Sequence, residues 1–127
     1  MKKIVSIALV TLALTACQAT TDSAAVPQGG SKQIATQSDM NALVGRTISL
    51  DQGQSFIISE NGTLDGSWDG KPLVGTYEMR DGFFCRTLSQ GPRGPSPEDC
   101  QLLVLDGNSL TGSRDRGNGD SFTYTVS

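Results

Sequence analysis

The residues of this chain that could do chemistry are its cysteines and its arginines, because the sequence contains no histidine. Histidine is a common general base and metal ligand near neutral pH, so its absence argues against serine hydrolases and zinc sites. The carboxylates lie singly at predicted turns, where none is placed to act with a second one as an acid–base pair. No glycine-rich nucleotide loop opens a helix. We therefore predict no catalytic residues, no metal site, no cofactor and no enzyme activity.

The first candidate is Cys17, which follows the segment Leu14–Ala16 at the end of a short leader. The leader carries Lys2 and Lys3 and then an apolar run, residues 4–14, which is too short for a stable membrane-spanning helix and is typical of a secretory signal. A small residue before a cysteine resembles the lipobox of bacterial lipoproteins. The resemblance implies cleavage before Cys17 and acylation of its thiol and amino group, with palmitate among the chains. The alternative is a secreted protein with a chance cysteine at the cleavage site.

Cys85 and Cys100 are the second candidate, an even pair in a chain that carries an export signal. In an oxidising compartment such a pair predicts a structural disulfide, and closing a loop of about 15 residues stabilises a fold by roughly 3 kcal/mol in the chain-entropy model. The alternative is a redox pair, since Arg86 could lower the pKa of a free thiol at Cys85. Reactive pairs usually lie closer together, as Cys-x-x-Cys, so the spacing favours the disulfide.

Several arginines and aromatic residues are candidate contacts for a ligand or partner. Paired arginines could hold a carboxylate or phosphate, and aromatic rings could form the wall of a cavity. Arg114 and Arg116 lie in a polar segment, residues 113–120, for which a solvated hairpin end is the alternative. Arg93 lies in a Pro- and Gly-rich loop, residues 90–99, for which a stapled hairpin connection is the alternative. The candidate set is Trp68, Arg80, Phe83, Phe84, Arg86, Arg93, Arg114 and Arg116.

The charge balance restricts the possible partners. The chain has 10 basic and 13 acidic residues, and removal of Lys2 and Lys3 with the leader makes its net charge of −3 two units more negative. Nucleic-acid binding needs a basic patch, so we predict no nucleic-acid partner. The predicted partners are the membrane, through the acyl chains on Cys17, and an envelope protein or a small ligand. We expect the domain to be a monomer.

The chain divides into three predicted parts: a signal peptide over 1–16, a lipidated cysteine with a flexible tether over 17–37, and a single β domain over 38–127. The tether has no periodic apolar pattern and is rich in small and polar residues. The residue after the lipidated cysteine is Gln18 and not the aspartate that favours retention in the inner membrane. We therefore expect anchoring in the outer membrane, on its periplasmic face.

The β domain is predicted to begin with a short helix over 39–44, capped by Ser38 and ended by Gly45. Asn-Gly and Asp-Gly pairs then alternate with runs of strand composition, as in hairpins. The predicted strands are 46–50, 54–59, 63–68, 73–80, 83–88, 99–105, 109–114 and 121–126. We predict an all-β fold, an antiparallel meander of about eight strands that closes into a small lipocalin-like barrel or folds into a sandwich. A barrel could bring Arg80, Arg86 and Arg114 to one mouth.

The segment Arg80–Arg86 (Arg-Asp-Gly-Phe-Phe-Cys-Arg) and the later segment Asp99–Gln101 carry a resemblance to a known group. From about Ala42 to Val126 the chain resembles small exported β-rich proteins of α-proteobacteria. Further matching pieces are 43–46, 61–66, 75–77 and 114–117. Some members carry the name dihydrodipicolinate reductase, but this chain is too short for that enzyme's two domains and lacks its nucleotide loop. The resemblance implies a small exported β domain and no established activity or catalytic residues.

Three functional hypotheses follow from these features. The first is a lipid-anchored binding or scaffolding module for a small apolar or anionic molecule or an envelope partner. The second is an inhibitor of a cell-wall hydrolase such as lysozyme, because small lipid-anchored barrels with one disulfide include such inhibitors and an acidic domain suits a basic enzyme. The third is an enzyme, which would require Glu78, Asp81 and Asp115 to meet in a cleft.

Overall fold

Nine strands and one short helix make up residues 30–127, the part of the chain that a computed structural model describes. The strands are β1 (Lys32–Ile34), β2 (Thr47–Asp51), β3 (Gln54–Ile58), β4 (Thr63–Trp68), β5 (Lys71–Arg80), β6 (Phe83–Gln90), β7 (Ser96–Asp106), β8 (Ser109–Ser113) and β9 (Ser121–Val126). Helix α1 spans Gln37–Met40, and a single 3-10 turn spans Asp115–Gly117 between β8 and β9.

Strands β2 to β9 form a closed antiparallel barrel in which each strand pairs with the next one in the sequence. The last strand pairs with the first through Ile48 with Val126 and Ser49 with Thr125. Because the barrel is closed, each of its strands has a neighbour on both sides. Closure therefore removes the exposed strand edges that promote aggregation. The predicted all-β meander is confirmed in its barrel form, and the sandwich alternative is wrong.

Tight turns join the barrel strands where Asp-Gly pairs occur in the sequence. Asp69 and Gly70 have φ angles of 53° and 82°, and Asp81 and Gly82 have φ angles of 53° and 83°. Two successive positive φ angles give a turn whose twist matches that of the flanking hairpin. The bounds of β4, which ends at the Asp69-Gly70 turn, agree with the prediction, and so do those of β9. The prediction was wrong for the start of β7, which begins at Ser96, three positions before the expected residue.

Helix α1 fills one end of the barrel, which we call the closed end. Its cap was predicted at Ser38, but the cap is Thr36, whose hydroxyl accepts a hydrogen bond from the Asp39 amide at 3.1 Å. The Asp39 carboxylate in turn accepts from the Thr36 amide at 3.1 Å, which completes a capping box. The helix therefore begins earlier than predicted. Met40 and Leu43 are fully buried and reach into the barrel from this end.

Strand β1 was not predicted. It pairs with the second half of β7, through Gln33 with Val104 and Ile34 with Leu103, and Ile34 is fully buried. Residues 32–37 had been expected to belong to the tether, because this segment has no periodic apolar pattern. The ordered structure thus starts before Ser38, since β1 and the cap of α1 precede that residue.

Side chains alternate between the interior and the outer surface of the barrel. On β5, Leu73 and Tyr77 are buried, whereas Glu78 is exposed; on β9, Tyr124 and Val126 are buried. This alternation is the period of two that is typical of strands with one face in the core. The remaining buried apolar side chains of the core are Ile34, Met40, Leu43, Ile48, Phe56, Ile58, Leu64, Phe84, Leu88, Leu103 and Leu110.

Candidate functional site

The end of the barrel opposite α1 contains a cavity, which we call the mouth. The closed end is marked by α1 and by the Gly45 amide, which donates to the Ile58 carbonyl at the end of β3 at 2.9 Å. In an antiparallel barrel the other ends of the strands meet on the opposite side. There they enclose about 680 Å³. The mouth is lined by Leu50, Gln54, Trp68, Asp69, Leu73, Arg86, Leu88, Pro92, Arg93, Gly94, Pro95, Ser96, Arg114, Asp120, Phe122 and Tyr124.

One side of the mouth is apolar. Leu73 and Leu88 are almost fully buried at its floor, and Trp68 packs partly buried against the core. Phe122 also lines the mouth and is 37% exposed, which is unusual for a large apolar side chain. An apolar wall with an exposed aromatic residue at its edge suits the apolar body of a small molecule.

The other side of the mouth is polar, and its Arg114 is paired with Asp99, which lies outside the lining. One oxygen of its carboxylate accepts hydrogen bonds from Gln101 Nε2 at 2.8 Å and from Arg114 Nε at 3.0 Å. The other oxygen accepts from the backbone amide of Asp115 at 3.2 Å. Burial by itself would raise the pKa of Asp99, but these three hydrogen bonds together hold the pKa below its usual range. Asp99 is therefore ionised at neutral pH, and each of its oxygens accepts at least one hydrogen bond.

Arg86 points into the mouth from β6 and lies opposite Asp99 in the register of β6 and β7. In the described part of the chain, no carboxylate oxygen lies within 4.0 Å of its guanidinium, and no hydrogen bond joins it to another residue. Burial lowers the pKa of Arg86, and the nearby Arg114 acts in the same direction. An arginine nevertheless stays protonated in proteins. Arg86 is thus a partly buried cation without an ion-pair partner among residues 30–127.

Tyr124 lies between the polar and apolar sides of the mouth. Burial raises the pKa of its hydroxyl, although Arg86 and Arg114 act in the opposite direction. The hydroxyl therefore keeps its proton at neutral pH and is a hydrogen-bond donor. Its ring meets Phe56 edge to face, with centroids 5.7 Å apart, so the side chain is held in place by the core.

The loop between β6 and β7 covers part of the rim. Lys71 donates to the Pro92 carbonyl at 3.1 Å, and the Gly94 amide donates to the Gly91 carbonyl at 3.0 Å. Arg93 is exposed at the tip of this loop and contributes to the lining of the mouth. The loop therefore connects β6 to β7 as a hairpin, as one interpretation predicted. It also carries an exposed arginine, as the other interpretation predicted.

The structure brings together four of the eight predicted contact residues, namely Trp68, Arg86, Arg93 and Arg114. The predicted convergence of Arg80 with Arg86 and Arg114 is wrong. Arg80 lies on the outer surface, where it pairs with Glu78 and with Glu98 at 2.8 Å. Its position follows from alternation, because it is an odd number of residues from the inward-facing Tyr77.

The other three predicted contacts also lie away from the mouth. The Arg116 guanidinium lies 5.8 Å from the centroid of the Phe83 ring, a cation–π geometry. The ring of Phe84 stacks on that of Tyr77, with centroids 5.2 Å apart, inside the core. Phe84 therefore fills the barrel, and Phe83 and Arg116 are not mouth residues.

The predicted disulfide is present between Cys85 and Cys100. These residues are directly opposite each other on β6 and β7, with their side chains on the outer face. The carboxylate of Glu98 lies beside the two sulfur atoms. Because both sulfurs are bonded to each other, neither is a thiolate that could bind a metal or attack a substrate.

The carboxylates of the enzyme hypothesis do not meet. Asp81 is exposed in the turn between β5 and β6 at the closed end, and Asp115 is exposed in the 3-10 turn at the other end. Glu78 lies on the outer surface and pairs with Arg80. This set therefore offers no acid–base pair in a cleft. That the protein has no catalytic activity stays a prediction.

Two residues that shape the site, Asp99 and Tyr124, were not predicted from the sequence. Asp99 and Gln101 flank Cys100, so both must face the side opposite the disulfide, which is the barrel interior. That alternation was available in the sequence. Tyr124 lines the same cavity as Arg86 because β9 pairs with β8 and β2, and this could not be deduced from either strand alone.

Comparisons with known proteins bear on the N-terminal segment. Residues 1–18 match the family model described as a prokaryotic membrane lipoprotein lipid attachment site. Searches of curated proteins and of solved structures gave no significant match. Among residues 30–127, no helix has the length and apolar character needed to cross a membrane. The predicted leader, the lipidated Cys17 and the first part of the tether lie outside the described residues. The match supports the prediction that this chain carries a bacterial lipoprotein signal and is lipid-anchored in the cell envelope.

Proposed function

We propose that this protein is a lipid-anchored binding module of the cell envelope, which takes up a small molecule in the mouth of its barrel. The observation that carries this proposal is the cavity itself, which combines an apolar wall with convergent polar groups. Its volume of about 680 Å³ falls within the roughly 300–1,000 Å³ that is usual for small-molecule sites. The closed end is filled by α1, so a ligand would enter from the side opposite the helix.

The wall of the mouth supports a ligand with an apolar or aromatic body. Leu73 and Leu88 form the buried floor, while Trp68 and Phe122 offer ring faces nearer the rim. Burying apolar surface against such a wall contributes roughly 25 cal/mol per Å². A solvent-exposed Phe122 is then explained as a contact that a ligand would cover.

The proposal is tested with Trp68, because it is the sole tryptophan of the chain and lines the mouth. The full-length lipoprotein in phosphatidylcholine vesicles is titrated with 4-phenyl-1-butanol while its tryptophan fluorescence is recorded. We expect a saturable change that Phe122→Asp weakens several-fold. Ile57→Asp is the matched control, since Ile57 is similarly exposed at 42% but lies outside the mouth. No saturable change, or equal weakening by both variants, would contradict the proposal.

We further propose that the anchor holds the domain in the outer membrane, on its periplasmic face. The support is Gln18, which replaces the aspartate associated with inner-membrane retention. Separation of the two membranes on a density gradient tests this: the protein should follow outer-membrane markers. A Gln18→Asp variant should move to the inner membrane, and recovery of the unaltered chain there would overturn the assignment.

A second candidate function is inhibition of a cell-wall hydrolase such as lysozyme. It is favoured by the closed barrel with one disulfide and by the loop that presents Arg93 beyond the rim. A loop pinned by a disulfide loses little conformational entropy when it binds a partner. Lysis of cell walls by lysozyme should slow at excess protein, and Arg93→Ala should reduce the effect. Unimpeded lysis would eliminate this candidate.

A further inference from the structure

The two arginines on the polar side of the mouth, Arg86 and Arg114, differ in their pairing. Arg114, whose side chain is 44% exposed, pairs with Asp99 at 3.0 Å. Arg86 is less exposed and has no ion-pair partner in the part of the chain that the structure describes. The other charged residues of the lining, Asp69, Arg93 and Asp120, are exposed, so water and salt screen them.

The carboxylate of Asp99 acts on Arg86 through its charge but forms no ion pair with it. Asp99 faces Arg86 across the two strands, but both of its oxygens already accept hydrogen bonds from Gln101, Arg114 and the amide of Asp115. A cation that is partly withdrawn from water without a partner is costly. The arrangement thus leaves the donors of Arg86 available to an anion that enters the mouth from outside.

We propose that Arg86 binds the carboxylate of an amphipathic monoanion whose apolar or aromatic body lies against Trp68 and Phe122; this rests on the proposed function of the mouth. A guanidinium matches a carboxylate through two parallel hydrogen bonds. One negative charge would supply Arg86 with the single counter-charge that it lacks. A dianionic phosphate monoester would instead leave an excess negative charge in the same place, so the carboxylate is favoured.

Tyr124 completes the recognition of the acid group. Its hydroxyl keeps its proton and lies in the field of Arg86, so it can donate a further hydrogen bond to the carboxylate. The neutral alcohol of the same body would leave Arg86 without a counter-charge. The site should therefore distinguish an acid from the corresponding alcohol.

The test compares two ligands that differ in one group, 4-phenylbutanoate and 4-phenyl-1-butanol. Both are titrated into the full-length lipoprotein in vesicles, with Trp68 fluorescence as the signal. We expect the acid to bind at least tenfold more tightly than the alcohol. Arg86→Met should abolish this preference by weakening the binding of the acid, and a urea unfolding transition like that of the unaltered protein shows that the variant is folded. Arg86→Lys should keep part of the preference, since the charge remains but the paired hydrogen bonds do not.

Arg80→Met is the matched control, because Arg80 is an arginine on the outer surface that is already paired with two glutamates. It should leave the preference unchanged. Equal binding of acid and alcohol by the unaltered protein, or a preference that survives in Arg86→Met, would overturn the inference while the proposed binding function stands. If neither ligand alters the fluorescence, the binding function fails as well. Tighter binding of phenyl phosphate than of the carboxylate would overturn the choice of a monoanion.

Discussion

The two ends of the barrel are built from the same strands but are completed in different ways. At the closed end, Met40 of α1 and Leu43 of the turn after it join Ile34, Ile48 and Ile58 in the core, all of them almost fully buried. At the mouth, Leu73 and Leu88 form a floor, and the cavity above it is lined by Arg114, which pairs with Asp99, and by Arg86, which has no ion-pair partner among residues 30–127. One end is an ordinary apolar core, whereas the other places polar groups where apolar side chains would pack more favourably.

Because of this difference, we expect the closed end to contribute mainly to stability and the mouth mainly to binding. A filled apolar end stabilises the fold through burial and close packing. A cavity lined by charged groups contributes less, and groups that reduce stability are common in binding sites because they are arranged for a ligand. The comparison predicts that substitutions at the closed end change the free energy of unfolding, and that those at the mouth mainly change ligand affinity.

The largest expected effect is that of Met40→Ala. It removes a fully buried side chain from the closed end and should lower the free energy of unfolding by about 2–5 kcal/mol. Leu50→Ala is the control, because Leu50 is partly buried at the mouth and should cost less than half as much. Urea unfolding followed by Trp68 fluorescence measures both. Equal losses would show that the two ends do not differ as proposed.

The next effect concerns the disulfide that joins the two strands leading to the rim loop. The sequence separation of Cys85 and Cys100 is 15, and removing such a cross-link should lower the free energy of unfolding by about 3 kcal/mol. The double variant Cys85→Ala/Cys100→Ala should show this loss in urea unfolding. A reductant should destabilise the unaltered protein by a similar amount and should have no effect on the double variant.

The smallest expected effect is that of Asp99→Asn, which weakens the charged hydrogen bonds on the polar side of the mouth. Allowing for partial exposure, the loss in the free energy of unfolding should be about 1–2 kcal/mol at neutral pH. Because the pKa of Asp99 is lowered in the folded state, its stabilisation is present above the unfolded pKa of about 3.9 and is lost as the pH falls through the lower, folded value. The unaltered protein should thus lose its advantage over Asp99→Asn as the solution is acidified.

A difference between the two proteins that stays constant from pH 7 to pH 2 would contradict this account. Asp39, at the closed end, also has a lowered pKa because Lys32 and the cap of α1 stabilise its charge. It is present in both proteins, so its contribution cancels in the comparison. The change with pH therefore reports on the mouth alone.

Much of the fold could be predicted because local signals agree with one another. Asp69-Gly70 and Asp81-Gly82 adopt the positive φ angles that their composition favours, so the hairpins lie where the sequence indicates. Strand β1 could not be predicted in this way, because a three-residue strand has no detectable period and forms only where β7 offers an edge. The cap of α1 was misplaced since Thr36 and Ser38 are both suitable caps, and the position of Asp39 in three dimensions decides between them.

The candidate site likewise has some features that follow from local sequence and others that only the tertiary structure decides. By itself the sequence determined the lipoprotein signal, the all-β meander, the cysteine pair and the inward or outward face of most strand residues, because these follow from local chemistry and a period of two. The tertiary structure alone decided that the barrel closes, that α1 fills one end, that Arg86 and Tyr124 line one cavity, and that Asp99 pairs with Arg114. Those contacts join residues far apart in the chain, and they depend on which strand edges pair and on how much space remains between them.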